Sequence, residues 1–212
     1  MIKEFKKNKY LIVKNVLTNE CLNLIDKYFL LKKEAVRNMY LCNLVKPNGI
    51  LGSWYDGQVN NTYAIFGDFL SETILQEKLK LVEKKTGLKL LPSYSYMRIY
   101  KKGDTLTKHT DRNECEISTT LNISGNQWPI YFKINNKKIK ITLKPGEMVI
   151  YKGTELEHWR EKFKGKKCIQ IFLHYVNAEG PYKNNIFDKR PCLGFIDTTS
   201  DYTKNENNKL SN

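Results

Sequence analysis

A chain of 212 residues, 41% of them apolar and 27% charged, can bury one sizeable core and has neither a disordered nor a membrane-embedded composition. Its 36 basic residues against 22 acidic ones leave a formal charge of +14, which draws a protein toward nucleic acid or other polyanions, although lysines spread over solvated faces give the same sum. No run approaches the roughly 18 apolar residues of a bilayer span, the lysine-rich start has no apolar signal segment behind it, and five scattered cysteines form no Cys-x-x-Cys pair. A reduced, cytoplasmic protein away from the membrane is expected.

Thr18 is placed to cap a first helix, with Glu20 in its first turn and Leu22, Ile25, Phe29 and Val36 at helical spacing. A second helix is expected from about Asp68 to Lys85, with Leu70, Ile74, Leu81 and Val82 as its apolar side and Gly87 as its stop. Between them, Lys46 to Gly57 carries three glycines and a proline around Trp54 and Tyr55, the makings of a packed Ω-loop or of a lid over a site.

From Leu88 the period changes to two. Tyr94, Tyr96, Arg98 and Tyr100 alternate with Ser95, Met97 and Ile99; Ile117 to Ile123 alternates likewise. Two further strands flank Asn135-Asn136-Lys137, a hairpin turn because Asn tolerates positive φ. Met148 to Tyr151 and Cys168 to Val176 complete the set. The expectation is one α+β domain over 1–197, helical over 1–87 and a β-sandwich or barrel-like core over 88–197, followed by a loose polar tail at 198–212.

The chemistry is concentrated in three places. His109-Thr110-Asp111 puts an imidazole and a carboxylate at i and i+2, on one face if the segment is a strand. Lys144-Pro145-Gly146 launches a short apolar strand that ends at Gly153, and His158 follows five residues later. Two histidines and a carboxylate on neighbouring strands form the facial triad that holds non-haem Fe(II) and leaves the opposite positions open. Lys167 shares the parity of Ile169, Ile171 and Leu173; it points inward if the strand begins there, or to water if Lys164, Lys166 and Lys167 form a solvated turn. Inward, it would meet the far carboxylate of a bound dicarboxylate, and the Tyr100 hydroxyl could reach the same anion. His174 has the opposite parity and is expected at the surface or against a helix. Trp159 and Arg160 fall near the mouth with no assigned chemistry.

The run from Tyr94 through Gly103-Asp104 to His109-Thr110-Asp111, then Pro145-Gly146 to Tyr151-Lys152-Gly153, His158 and Lys167, resembles the Fe(II)/2-oxoglutarate-dependent dioxygenases, and within them the prolyl 4-hydroxylases. The resemblance covers about Tyr94 to Asn177. It implies a double-stranded β-helix (jelly-roll) core with N-terminal support helices, and His109, Asp111 and His158 as iron ligands. It also implies Lys167 as partner of the 2-oxoglutarate C5 carboxylate, with Tyr100 as a second contact. The implied reaction hydroxylates a substrate C–H bond using dioxygen while 2-oxoglutarate is decarboxylated to succinate, and a prolyl or other amino-acid residue in a protein or peptide is the implied substrate. The +14 charge keeps a nucleic-acid substrate open, although the arginine pair of the demethylating branch does not follow His158. A non-enzymatic cupin-like binding module and a hydrolytic zinc enzyme are the remaining alternatives.

Overall fold

The computed structural model describes residues 2–46 and 50–195; the expected tail at 198–212 lies outside them. In chain order the elements are α1 (Ile2–Asn8), β1 (Tyr10–Val13), α2 (Asn19–Leu41), β2 (Tyr63–Phe66), α3 (Phe69–Thr86), β3 (Leu90–Lys101), β4 (Leu106–His109), β5 (Ile117–Gly125), β6 (Ile130–Ile134), β7 (Lys137–Ile141), β8 (Met148–Lys152), β9 (His158–Arg160) and β10 (Lys167–Asn177). A short 3-10 turn, Asn113–Cys115, precedes β5.

Both expected helices form for the reasons their sequences give. The Thr18 hydroxyl accepts from the Cys21 N–H at 3.3 Å, and the Asp68 carboxylate accepts from the N–H groups of Leu70 and Ser71. Gly87 closes α3 in the left-handed region at φ 74°. Leu22, Ile25, Phe29 and Val36 are the buried residues of α2. In α3, Ile74, Leu75 and Val82 are buried among others, while Leu70 and Leu81 pack on the core from its edge.

The strands form two antiparallel sheets. The major sheet has the order β1-β8-β5-β10-β3-β2 and the minor sheet β4-β9-β6-β7. Interleaved strands facing each other across one interior are the double-stranded β-helix. The Asn135-Asn136 hairpin forms as expected, with φ of 47° and 60°, and joins β6 to β7. One boundary differs from expectation. Residues before 88 are not only helical, because β1 pairs with β8 and β2 with β3 at the two edges of the major sheet. Those two strands are four residues each, too short for a period to show.

The major sheet separates two different environments. Its outer face carries Met97, Ile99, Leu121, Ile123, Ile169, Ile171 and Leu173 against the helices, in the largest apolar cluster. Its inner face carries Tyr100, Cys168 and Phe172 together with Arg98, Gln170 and His174. The helix-facing side is therefore the apolar one, and the polar alternation is left for the barrel interior, where the site lies.

Candidate metal centre and pocket

Antiparallel register sets His109 directly opposite His158 between β4 and β9, so both rings fall on the inner face of the minor sheet, with centroids 4.3 Å apart. Asp111 lies just beyond β4, and its N–H donates to the Gly153 carbonyl at 2.9 Å. Its Oδ1 lies 3.6 Å from His109 Nε2 and 3.5 Å from His158 Nε2. One donor atom from each of the three residues lies within 4.8 Å of the others, and among the described residues no fourth His, Cys, Asp or Glu joins them.

The rings are oriented by their other nitrogens. His109 Nδ1 lies 2.8 Å from the Thr107 carbonyl and His158 Nδ1 2.9 Å from that of Leu156. A carbonyl only accepts, so each Nδ1 carries the proton and each Nε2 turns a lone pair toward the carboxylate. Three unprotonated donors converging from fixed rings is the donor set of a divalent cation with open positions, so the residues fit the iron that the triad motif implies. Burial works against charge on Asp111, but in the metal-free site a proton on His109 or His158, together with the Ser118 hydroxyl, holds its carboxyl well below the usual range. Burial likewise pushes His158 below its ordinary value.

The Pro-Gly strand motif has a physical reading here. Gly146 turns the chain at φ 80° into β8. Tyr151 packs edge-on against His158 with centroids 4.9 Å apart. Gly153 is required by space: a Cβ there would stand 2.2 Å from the Cys115 carbonyl, 2.5 Å from Asp111 Oδ2 and 2.6 Å from Ser118 Oγ.

The triad forms part of the wall of a pocket of about 550 Å³, within the range of small-molecule and cosubstrate sites. Arg98 on β3 also lines it. Its Nη1 donates to the Tyr100 hydroxyl at 3.2 Å, and Nη2 donates to Gln58 and makes an ion pair with Asp56. Tyr96 donates to the same Asp56 carboxylate at 2.6 Å. The segment expected as a lid thus reaches the pocket through Asp56 and Gly57, followed by Gln58 just past its end, rather than through its aromatics. Trp54 packs on Tyr63, ring centroids 4.7 Å apart, and Tyr55 is exposed; residues 47–49 of the segment lie outside the described ones. Tyr100 is buried beside Trp128, behind Arg98.

Two expectations are corrected, and for one reason. Lys167 does not point into the barrel. Its Nζ donates to Asp26 of α2 at 2.8 Å, on the helix side of the major sheet. The apolar parity of β10 that Lys167 shares is the helix-facing parity. Conversely, His174 is neither at the surface nor against a helix but lines the pocket, buried against the Tyr94 ring at 4.5 Å between centroids. Its Nδ1 lies 3.0 Å from Ser118 Oγ, which donates to Asp111 Oδ2 at 2.7 Å. His174 is therefore linked to Asp111 through Ser118, and burial pushes its pKa down to about 4.

Four residues have no chemistry assigned from the sequence yet stand in or beside the site: Asp56, Arg98, Ser118 and Arg160. Arg160 had a legible signal, since it follows His158 at i+2 and must share its face; it is buried in the interior with its guanidinium 5.1 Å from the centre of the Trp128 ring.

No protein-family model matches this chain, and no curated protein matches it in sequence. Solved structures match its fold. A prolyl hydroxylase from Trichoplax adhaerens, in complex with a peptide fragment of the hypoxia-inducible-factor oxygen degradation domain, superposes with a TM-score of 0.60 at 14% identity, covering 84% of this chain and 88% of that one. An oxidoreductase of the 2OG-Fe(II) oxygenase family from Burkholderia pseudomallei gives 0.61 at 9% identity, covering 82% and 87%. The non-heme alpha-ketoglutarate-dependent epimerase SnoN of nogalamycin biosynthesis gives 0.61 at 9%, covering 84% and 81%. The chain thus has the double-stranded β-helix fold of the 2-oxoglutarate/Fe(II) oxygenases.

Proposed function

We propose that this chain is an Fe(II)- and 2-oxoglutarate-dependent dioxygenase that hydroxylates a substrate C–H bond, with a prolyl or other amino-acid residue of a protein or peptide as the substrate. The observation that carries the reading is the triad: His109, Asp111 and His158 present three converging donors on one side only, on the inner wall of an open pocket. A structural zinc site would close its shell with a fourth protein ligand, and none joins the cluster among the described residues. Fe(II) held there would supply the activation of dioxygen coupled to decarboxylation of 2-oxoglutarate.

The chain's own residues do the positioning. The carbonyls of Thr107 and Leu156 fix the tautomers of the two histidines, while Ser118 and the Gly153 carbonyl fix Asp111. Phe66, Tyr94 and Phe172 give the pocket an apolar wall that limits water, and Arg98 lines it with the Tyr100 hydroxyl hydrogen-bonded to its guanidinium. A peptide substrate is supported by the likeness to the Trichoplax prolyl hydroxylase, which carries a peptide, and the +14 charge favours an acidic one. A nucleic-acid substrate is the second reading. It is favoured by the stacked Tyr131 and Trp159 rings, which have lysines over them: Lys108 over Trp159 and Lys138 over Tyr131. Among the described residues, no helix is long and apolar enough to cross a membrane.

The test is anaerobic calorimetry of 2-oxoglutarate on the Mn(II)-loaded protein, beside His109→Ala. Metal-dependent binding that is lost in the variant is expected. An acidic-peptide and oligonucleotide screen for succinate release then separates the two substrate classes. A metal-loaded wild-type protein that does not bind 2-oxoglutarate would sink the dioxygenase reading.

A further inference from the structure

A guanidinium stays protonated in a protein and carries five N–H donors, so burying one without an anion is costly. Three arginines are buried here: Arg98, Arg160 and Arg190. Arg98 is paired with Asp56 and Arg190 with Glu72, the latter at 2.6 Å. Arg160 has no carboxylate partner among the described residues. It is 2% exposed, its Nη1 donates to the Trp128 carbonyl, and its Nε and Nη2 have no hydrogen-bond partner. Those two nitrogens lie on one edge of the guanidinium, the edge that matches both oxygens of a carboxylate with parallel hydrogen bonds.

The position of this free edge is specific. Arg160 follows the metal-cluster residue His158 on the same face of β9, two residues or about 6.7 Å along the strand. A five-carbon 2-oxo diacid that meets a cation beside His158 through its 2-oxo end spans a comparable distance to its far carboxylate. The basic residue expected for that carboxylate, Lys167, is committed to Asp26 on the other side of the sheet. The inner-face residue next to it is Cys168, a neutral side chain buried in the same cluster as Tyr100, Trp128 and Phe163.

Resting on the dioxygenase reading above, we propose that Arg160 is the anchor for the distal carboxylate of the 2-oxo diacid, taken on its Nε–Nη2 edge. The anchoring cation comes from the metal strand β9 in this chain, not from β10. Arg160 lies just beyond the residues that line the pocket, over the Trp128 ring, and there it selects dicarboxylates over monocarboxylates.

The test compares anaerobic calorimetric binding of 2-oxoglutarate and 2-oxopentanoate, which ends in a methyl group, to Mn(II)-loaded protein. Wild type is expected to prefer the diacid by on the order of a hundredfold, from two charge-assisted hydrogen bonds. Arg160→Met should bring that ratio close to one with Mn(II) affinity unchanged. Arg160→Lys should keep only about a tenfold preference, and Lys167→Met should keep all of it. Metal-free Arg160→Met should melt no lower than wild type, because an uncompensated charge has been replaced by an apolar chain of similar size. A merely structural arginine would give the reverse, a lower melting temperature and an unchanged ratio. Wild type that fails to bind either 2-oxo acid with its metal site filled refutes the dioxygenase reading itself. Wild type that binds, with the preference intact in Arg160→Met or removed instead by Arg98→Met, overturns the assignment of Arg160 alone. Should Arg160→Met not fold, an undiminished ratio in Arg160→Lys overturns it too.

Discussion

Gly153→Ala tests whether the glycine ending the β8 motif is there to let Asp111 reach the metal cluster. Gly153 does not occupy the left-handed region, so backbone strain plays no part and the cost is steric. The added methyl would lie 2.2 Å from the Cys115 carbonyl and 2.5 Å from Asp111 Oδ2. One of these contacts is backbone and the other a carboxylate held by Ser118, so neither can rotate away freely. Overpacking of a tight interior by one methyl typically costs about 1–3 kcal/mol. In a chain of this length, that lowers the melting temperature by roughly 2–12 °C. Moving a ligand off its supporting partner should weaken metal binding by about 10- to 100-fold. Mn(II) titration by calorimetry, beside thermal unfolding, reads both effects. Gly57→Ala is the control, since nothing lies within 4 Å of a Cβ there, and its Mn(II) affinity should match wild type. Wild-type Mn(II) affinity in Gly153→Ala would refute the argument, whatever the melting temperature.

Further outcomes follow from other parts of the structure. Ser118→Ala removes the hydroxyl between His174 and Asp111, and should lower Mn(II) affinity about tenfold by titration. His174 is neutral in the folded protein down to about pH 4, against an ordinary value of 6.5. Below pH 6.5 the unfolded chain takes up a proton that the folded one refuses. Its contribution is therefore complete above 6.5, and about 3 kcal/mol is lost as pH falls to about 4; urea unfolding of the metal-free protein should show this slope, flattened in His174→Gln. Glu72→Gln leaves Arg190 buried without its partner and should cost about 3–5 kcal/mol in urea unfolding, since the pair is buried on both sides. Lys167→Met removes a half-exposed pair with Asp26 and should change stability by no more than about 1 kcal/mol in the same assay.

Where sequence reasoning succeeded, it used spacing that local geometry enforces. Caps at Thr18 and Asp68, the stop at Gly87 and the Asn135-Asn136 turn each depend on a few consecutive residues, and each forms. The triad was legible because His109 and Asp111 are two apart and the Pro-Gly strand delivers His158 opposite His109. Where it failed, the missing information was which side of a strand faces what. Alternation along β10 shows two faces but does not label them, and an apolar row is the natural guess for a barrel interior. In a jelly roll whose major sheet is covered by helices, the apolar row goes to the helices instead. That one inversion moved Lys167 out of the pocket and His174 into it. β1 and β2 escaped because edge strands of four residues owe their existence to the partner strand. Asp56 escaped because its partner Arg98 lies 42 residues further along the chain.

The two faces of the sheet also explain how charge is distributed in this molecule. A helix-covered face can be filled with aliphatic side chains at no electrostatic cost, whereas an interior that, under the function proposed above, holds a metal, an oxo acid and a substrate has to keep polar groups away from bulk water. Each such charge then needs a partner, and the partners come from segments outside the barrel strands. Asp56, before β2, meets Arg98, and Asp188, after β10, takes Arg112 through both of its outer nitrogens. Glu72 of α3 meets Arg190. The first two pairs fasten segments to residues that line the pocket and the third ties α3 to the chain after β10, so their charges are consumed by the fold. A charge that the fold leaves uncompensated is different in kind, because burial has been tolerated without any internal return. Among the buried arginines that residue is Arg160, two positions from the metal cluster with one edge of its guanidinium unused. Internal pairing thus separates cations that hold the architecture from the one for which the described residues supply no anion.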